Sequence, residues 1–205
     1  MVLAYSTPTV LYSSQLEKYY KDGKQIHLYE KGEEIPLLEQ GVWQVYRGLV
    51  ELSSLHYNGD QALLGWAKPQ AFFGKWLNRL NAYNATALSD VYLIWYSLKE
   101  IETSNNLAQL MLHQVVQGIR QTENLLAIAA IKKVQDRLNE FLNLLANELG
   151  EETEEGIIIT VKFTHQNIAS AINSTRVTVT KMLGDLQNKG KIKWTENRYL
   201  TILNN

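Results

Sequence analysis

The chain has 205 residues, 45% of them hydrophobic, with 20 basic and 21 acidic side chains. It is long enough to bury a core in one large or two small domains, and its near-zero net charge points to no particular partner. It contains no cysteine, which excludes disulfides, thiolate zinc sites, cysteine-held iron–sulfur clusters and a cysteine nucleophile.

Residues Met1 to Tyr12 lack the basic-then-apolar layout of a signal peptide. The longest strongly apolar run, Leu125 to Ile131, is far short of a membrane span. A soluble, cytoplasmic protein with no membrane partner is expected. The charge is unevenly placed. Between Thr160 and Asn205 there are seven basic and two acidic residues, a net +5, which leaves −6 for residues 1 to 159. A basic end of this kind suits nucleic acid.

The first part of the chain, to about Ser97, predicts β-structure. Lys24 to Tyr29, Val42 to Arg47, Leu49 to Tyr57, Gln61 to Ala67 and Val91 to Tyr96 are short runs rich in Val, Ile, Leu, Tyr and Trp. Gly, Asn, Asp and Pro punctuate them. Asn58-Gly59-Asp60 has the chemistry of a hairpin turn. Many short strands with regular turns suggest a sandwich, jelly roll or barrel. Trp43, Trp66, Trp76 and Trp95 are candidates to fill its core.

Ser97 and Glu100 form a capping box, so a helix should start there. From Asn106 to Ala130 the pattern is helical. Leu107, Met111, Val115, Ile119, Thr122, Leu126 and Ala129 recur at three or four residues, close to a coiled-coil seam. A helix of that length spans about 36 Å, more than a small domain needs to cover its own core. It is either a long core helix or a dimer helix with one face on the sheet and one on a twin. Leu110, Leu125 and Ile128, apolar but off the main stripe, favour the dimer helix. A further helix is expected from Lys132 to Leu149, C-capped by Gly150. Glu151 to Gly156, with four glutamates, is expected as a solvated loop or turn.

The stretch Phe163 to Leu186 predicts a helix-turn-helix. Thr164 caps a short helix with Ile168, Ala169 and Ile172 facing inward. Asn173 makes the turn, since asparagine tolerates left-handed backbone. Ser174 caps a second helix, Thr175 to Asn188, with Val179, Met182, Leu183 and Leu186 facing inward. Gly190 follows at the C-cap. The outward residues Thr175, Arg176, Thr178 and Lys181 cluster in the first half of the second helix, the part that meets base edges in such motifs. Arg176 can pair bidentately with guanine, Val177 can meet a thymine methyl, and Thr178 and Lys181 can reach a base or phosphate. Thr164, His165 and Gln166 open the preceding helix, where backbone N–H groups and polar side chains can hold a phosphate. Lys191 to Thr195 and Arg198 to Ile202 alternate across Glu196-Asn197 as a small hairpin, the wing of a winged helix. Its basic residues can add phosphate contacts.

The run FTHQNIASAINSTRVTVTKMLGDLQNKGKI, placed after β-strands and a long helix, resembles the family of the catabolite activator protein and the fumarate–nitrate regulator. Within that family STRVTVTKMLGDL is most similar to the cyanobacterial global nitrogen regulator type. The resemblance implies an α+β fold in three parts. These are a β-roll sensor-like domain of the cyclic-nucleotide-binding kind over residues 1–104, a dimerisation helix over 105–131 and a winged helix-turn-helix over 132–205. It implies a homodimeric transcription regulator on a palindromic operator, with Ser174 among the DNA-binding residues and RNA polymerase as a partner. It also implies that Arg176 reads a guanine in each half-site. Arg176-Val177 is similar to the nitrogen-regulator pair and implies GTA-like half-sites.

The sensor half departs from the cyclic-nucleotide pattern. Lys75 stands where the family has a ribose-binding glutamate, and Tyr83-Asn84-Ala85 offers no phosphate-binding arginine. Cyclic AMP would lose its charge-assisted contacts. Another small effector, touching Lys75, Asn84 and Thr122, is the expectation, although Thr122 is equally a polar seam residue. No cofactor or metal site is expected: His27, His56, His113 and His165 are scattered. No phosphate-binding loop, dinucleotide fingerprint or G-x-S-x-G suggests an enzyme. The alternative to a DNA reader is a regulator-like dimer acting as a protein-interaction module.

Overall fold

The computed structural model describes residues 20–21, 23–57, 59 and 61–204. The first eight strands are β1 (Tyr20–Lys21), β2 (Lys24–Tyr29), β3 (Gly41–Arg47), β4 (Val50–Leu55), β5 (Gln61–Ala67), β6 (Phe72–Phe73), β7 (Tyr83–Ala87) and β8 (Val91–Ser97). They form a five-stranded sheet in the order β1-β2-β8-β3-β6 and a three-stranded sheet in the order β5-β4-β7. The helices are α1 (Leu98–Thr103), α2 (Asn105–Ala130), α3 (Val134–Leu149), α4 (His165–Ala171) and α5 (Arg176–Asn188). Strands β9 (Gly150–Thr153), β10 (Gly156–Ile159), β11 (Ile192–Trp194) and β12 (Leu200–Leu203) complete the chain. The residues divide into two compact units. One holds positions up to 51 and 66–116, the other 52–65 and those from 117 onward.

In the first unit, β8 is the centre of an antiparallel sheet, pairing Ile26 with Ile94 on one side and Trp43 with Trp95 on the other. Val42, Val45, Val91 and Leu93 are fully buried there. Trp43 meets His27, Tyr29 and Trp95 edge-on, the geometry aromatic rings prefer. Its indole N–H donates to the Pro36 carbonyl at 2.8 Å. Trp66 is buried as well, but Trp76 is 53% exposed and belongs to no core. It lies in a tight 3-10 turn, Lys75–Leu77, where Leu77 takes the inward position and packs against Val42, Phe72, Ile101 and Met111. Of the Asn58-Gly59-Asp60 turn, Asn58 and Asp60 lie outside the described residues. Gly59 has φ +86°, as such a turn requires.

The capping box at the start of α1 is present in both directions. The Ser97 side chain accepts from the Glu100 N–H, and the Glu100 carboxylate accepts from the Ser97 N–H at 2.9 Å. Lys24 completes it with an ion pair to Glu100. The Lys24 contact, aided by both Ser97 bonds, holds the Glu100 carboxyl down at about 2. A depressed carboxyl stabilises the fold above its ordinary range and loses that contribution as pH falls toward the folded value. The melting temperature of wild-type protein should therefore fall between pH 4.5 and about 2 more steeply than that of Glu100→Gln. Ser97→Ala should cost about 1 kcal/mol at neutral pH, read by denaturant unfolding. Parallel pH profiles for wild type and Glu100→Gln would refute this account.

Helix α2 separates the apolar positions on which the sequence predicted one seam. Leu107, Met111 and Val115 turn inward, whereas Ile119, Thr122, Leu126 and Ala129 are exposed. Steps of four residues advance about 40° each around a helix, so a run of them winds from one face to another. In the second unit the buried positions of α2 are Gln121, Leu125 and Ile128. What remains on the surface is a stripe of Leu112, Val116, Ile119 and Leu126, exposed by 66%, 37%, 53% and 70%. Its spacing of four, three and seven is that of a coiled-coil seam.

Helix α3 supplies Leu138, Phe141, Leu142, Leu145 and Leu149 to the core of the second unit. Gly150 caps it, but with extended rather than left-handed backbone (φ −90°), because it opens a strand. Of the loop or turn expected over Glu151 to Gly156, Glu154 and Glu155 form the turn, while the residues on either side are the strands of the β9–β10 hairpin. Its glutamates disguise a strand that lies at the edge of the sheet β11-β12-β10-β9, where charged side chains stay in water. Gly156 is needed in this sheet: a Cβ there would strike the Ile202 carbonyl of the neighbouring strand.

Candidate nucleic-acid interface

Thr164 caps α4, accepting from the Asn167 N–H at 3.0 Å while Asn167 Oδ1 accepts from the Thr164 N–H. Asn167 fills the position usually held by glutamate in a capping box, which the sequence did not suggest. This box consumes the Asn167 amide, so backbone donors at the start of the seven-residue helix are fewer than expected. Asn173 has φ +49° and makes the turn. Ile168, Ala169, Ile172, Val179, Met182, Leu183 and Leu186 are all buried, so the inward set is the one predicted. Ala169, without a side chain beyond Cβ, permits the close crossing of α4 and α5.

The second helix starts one residue later than expected. Thr175, not Ser174, is its cap, accepting from the Thr178 N–H at 3.2 Å. Ser174 is still part of the turn, its N–H donating to the Ala169 carbonyl. Gly190, φ +67°, lies just past the Lys189 C-cap in the left-handed region. Thr175, Arg176, Val177 and Lys181 are exposed, Val177 by 79%, and Thr178 is half-buried with its hydroxyl 2.9 Å from that of Thr175. Thr164 and Gln166 are exposed beside them on α4, and His165 is half-buried. The fold thus brings the nine sequence-predicted residues together on two adjoining helices, their caps and the turn between them.

The wing is formed by β11 and β12, pairing Lys193 with Thr201, and Arg198 sits in its turn at φ +62°. Cations in and beside the wing are partly engaged within the protein. Lys193 is ion-paired with Glu155, and Lys162 lies 4.9 Å over the Tyr199 ring.

Two residues escaped notice in the sequence. Arg137 on α3 donates through Nε to the Ile172 carbonyl (2.7 Å) and through Nη2 to that of Asn173 (3.1 Å). Its Nη1 reaches the carbonyls of Ile131 and Lys132 at 2.8 and 3.2 Å. One guanidinium therefore ties the α2–α3 junction to the helix-turn-helix turn. Thr180 bridges His165 and Arg176, with its hydroxyl oxygen 2.8 Å from both His165 Nδ1 and the Arg176 carbonyl. Neither link has a linear signal, because the far partners, Ile172 of Arg137 and His165 of Thr180, are 35 and 15 residues away in sequence.

The model of the Crp-like helix-turn-helix domain matches residues 136–205. The chain is 32% identical over 193 residues to the global nitrogen regulator of Synechococcus elongatus, covering 88% of this chain and 86% of that protein. It is 34% identical over 161 residues to the global nitrogen regulator of Nostoc sp., covering 74% and 72%. The chain belongs to the CRP/FNR family of transcriptional regulators. Among solved structures, a CRP/FNR-family transcriptional regulator from Thermus thermophilus superposes with TM-score 0.69 at 26% identity, over 88% of this chain and 94% of that one. The N-terminal β-roll, long helix and C-terminal winged helix are thus those of the CRP/FNR fold, and the relatives named here are regulators.

The residues expected to meet an effector in this CRP/FNR regulator fall in both units. Lys75 is ion-paired with exposed Glu39 at 3.1 Å, and Asn84 is half-buried in β7. In the second unit, the Thr122 hydroxyl lies 3.0 Å from the Gly118 carbonyl and 3.3 Å from that of Leu64. Among the described residues no group of three His, Asp or Glu could hold a metal, and no helix is long and apolar enough to cross a membrane.

Proposed function

We propose that this CRP/FNR regulator binds a palindromic operator as a homodimer and reads each half-site with the first turns of α5. The observation that carries this reading is the exposed group Thr175, Arg176, Val177 and Lys181 set on a rigid, fully packed helix pair. A guanidinium there can grip guanine O6 and N7, and Val177 can cover a thymine methyl. Thr178 and Lys181 reach a base or phosphate, while Thr164, His165, Gln166 and Ser174 meet the backbone. Two copies joined along the Leu112–Leu126 stripe of α2 would place the two α5 helices on half-sites about one helical turn apart. In this reading residues 1–104 form a sensor-like domain, 105–131 the dimerisation helix and 132–205 the DNA-binding domain. The effector is a small molecule other than cyclic AMP, met by Lys75, Asn84 and Thr122. RNA polymerase is the partner on DNA, and the setting is the cytoplasm.

Fluorescence anisotropy of a labelled duplex carrying GTA-N8-TAC, against a scrambled duplex, tests this. The palindrome should bind about a thousandfold tighter or more. Arg176→Ala should lose about 1–3 kcal/mol and relax selectivity at one base position. If wild type enriches no palindrome from a random library, the protein-interaction module becomes the better account.

A further inference from the structure

The Thr180 hydroxyl oxygen is 2.8 Å from the Arg176 carbonyl oxygen and 2.8 Å from His165 Nδ1. Two oxygens that close need a hydrogen between them, and a threonine hydroxyl has only one. That hydrogen goes to the carbonyl one turn earlier in α5. Thr180 therefore meets the imidazole with a lone pair, and Nδ1 must carry a proton. In the neutral ring Nε2 is then a bare acceptor, and it becomes an N–H donor only when the ring is an imidazolium. The ring is also held by Trp194, 5.9 Å away between centroids and tilted 42°, while Nε2 has no hydrogen-bond partner among the described residues.

A backbone phosphate offers acceptors only, so a neutral His165 held this way presents a lone pair to a lone pair. The imidazolium presents a charged donor. We propose that Thr180 is a positioning residue of the DNA-binding face. It holds His165 so that Nε2 grips a phosphate only when the ring is protonated, and each protomer takes up a proton as DNA binds. This rests on the DNA-binding reading above and adds a coupling to pH. The charged groups on the elements packed around the ring are Arg176, Lys181 and Asp185 of α5, Lys193 of β11 with its partner Glu155, Glu196 and Arg198 of the wing turn, and Lys162 over Tyr199. None of them is bonded to the imidazole.

Isothermal titration of the full chain with the GTA-N8-TAC duplex and with a scrambled duplex at low salt, in phosphate and in Tris near pH 8, counts the protons taken up. The scrambled duplex is included because a phosphate contact is sequence-independent. Uptake should approach one proton per protomer, and affinity should fall up to about tenfold per pH unit for each linked proton. His165→Gln should bind more weakly at low pH and lose this proton uptake. Thr180→Val frees Nδ1, allows the neutral ring to donate from Nε2, and should flatten the pH profile; Thr180→Ser should restore it. Tight binding by wild type without proton uptake, or an unchanged profile in His165→Gln or Thr180→Val, would overturn the proposal and leave the regulator reading standing. Failure of wild type to bind either duplex at any pH would sink both.

Discussion

Replacing Ile119 and Leu126 together with glutamate is expected to yield a monomer and to weaken operator binding by about a hundredfold or more. Both residues stand in the exposed stripe of α2, which is apolar at four positions on one helix face. Each of these side chains has roughly 1 kcal/mol to gain by burial of its exposed part. A second copy of the same helix, offering the same stripe, is the simplest surface to bury it, since two-fold interfaces are self-complementary. Four new carboxylates facing one another across that seam would oppose association strongly. Loss of the dimer removes the avidity of two linked half-sites, worth about a hundredfold or more. Sedimentation velocity and anisotropy read the two effects separately. A double variant that sediments as a dimer would mean that α2 is a core helix and that the chain pairs by another surface.

Arg137→Met should destabilise the second unit by about 3 kcal/mol or more, although the residue touches none of the DNA-reading side chains. Charge-assisted hydrogen bonds are worth about 1.5–3 kcal/mol each, and this guanidinium donates to four carbonyls from two segments. Methionine keeps the length and the packing of the stem but supplies no donor. Arg137→Lys should recover only part of the loss, because an ammonium cannot spread planar donors to both segments at once. Chemical unfolding followed by Trp194 fluorescence would measure it. A loss under about 1 kcal/mol would mean that water replaces the guanidinium at the turn without cost. Operator affinity should fall along with stability, since the Ile172 and Asn173 carbonyls that Arg137 holds fix the angle at which α5 leaves the turn.

Much of this was legible in the sequence, and the failures share a cause. The helix-turn-helix could be read because its signals are local: a cap at Thr164, a left-handed turn at Asn173 and apolar spacings that put seven side chains inward. The main strands could be read for the same reason. The two-residue strands β1 and β6, and β7, β9 and β10, could not, because their pairing is set by their neighbours in the sheets rather than by their own composition. Spacings of three and four along α2 revealed a helix with two apolar faces but not which residue belongs to which. That required the sheet and α3 to be in place. The clamp at Arg137 and the Thr180 bridge were invisible for a stronger reason: a backbone carbonyl leaves no mark on residue identity.

Strand β9 carries the final consequence. Its glutamates lie on the same small unit as α5, whose exposed first turns bear Arg176 and Lys181, so the unit carries exposed charge of both signs. A polyanion approaching such a unit is drawn by the one group of charges and repelled by the other before any contact forms. Misaligned collisions become shorter and aligned ones longer, which raises the rate of productive encounter more than it deepens the final well. Removing the charge of Glu151 and Glu152, which touch no base or phosphate in the proposed complex, would then act on how quickly the duplex is found and little on how long it is held.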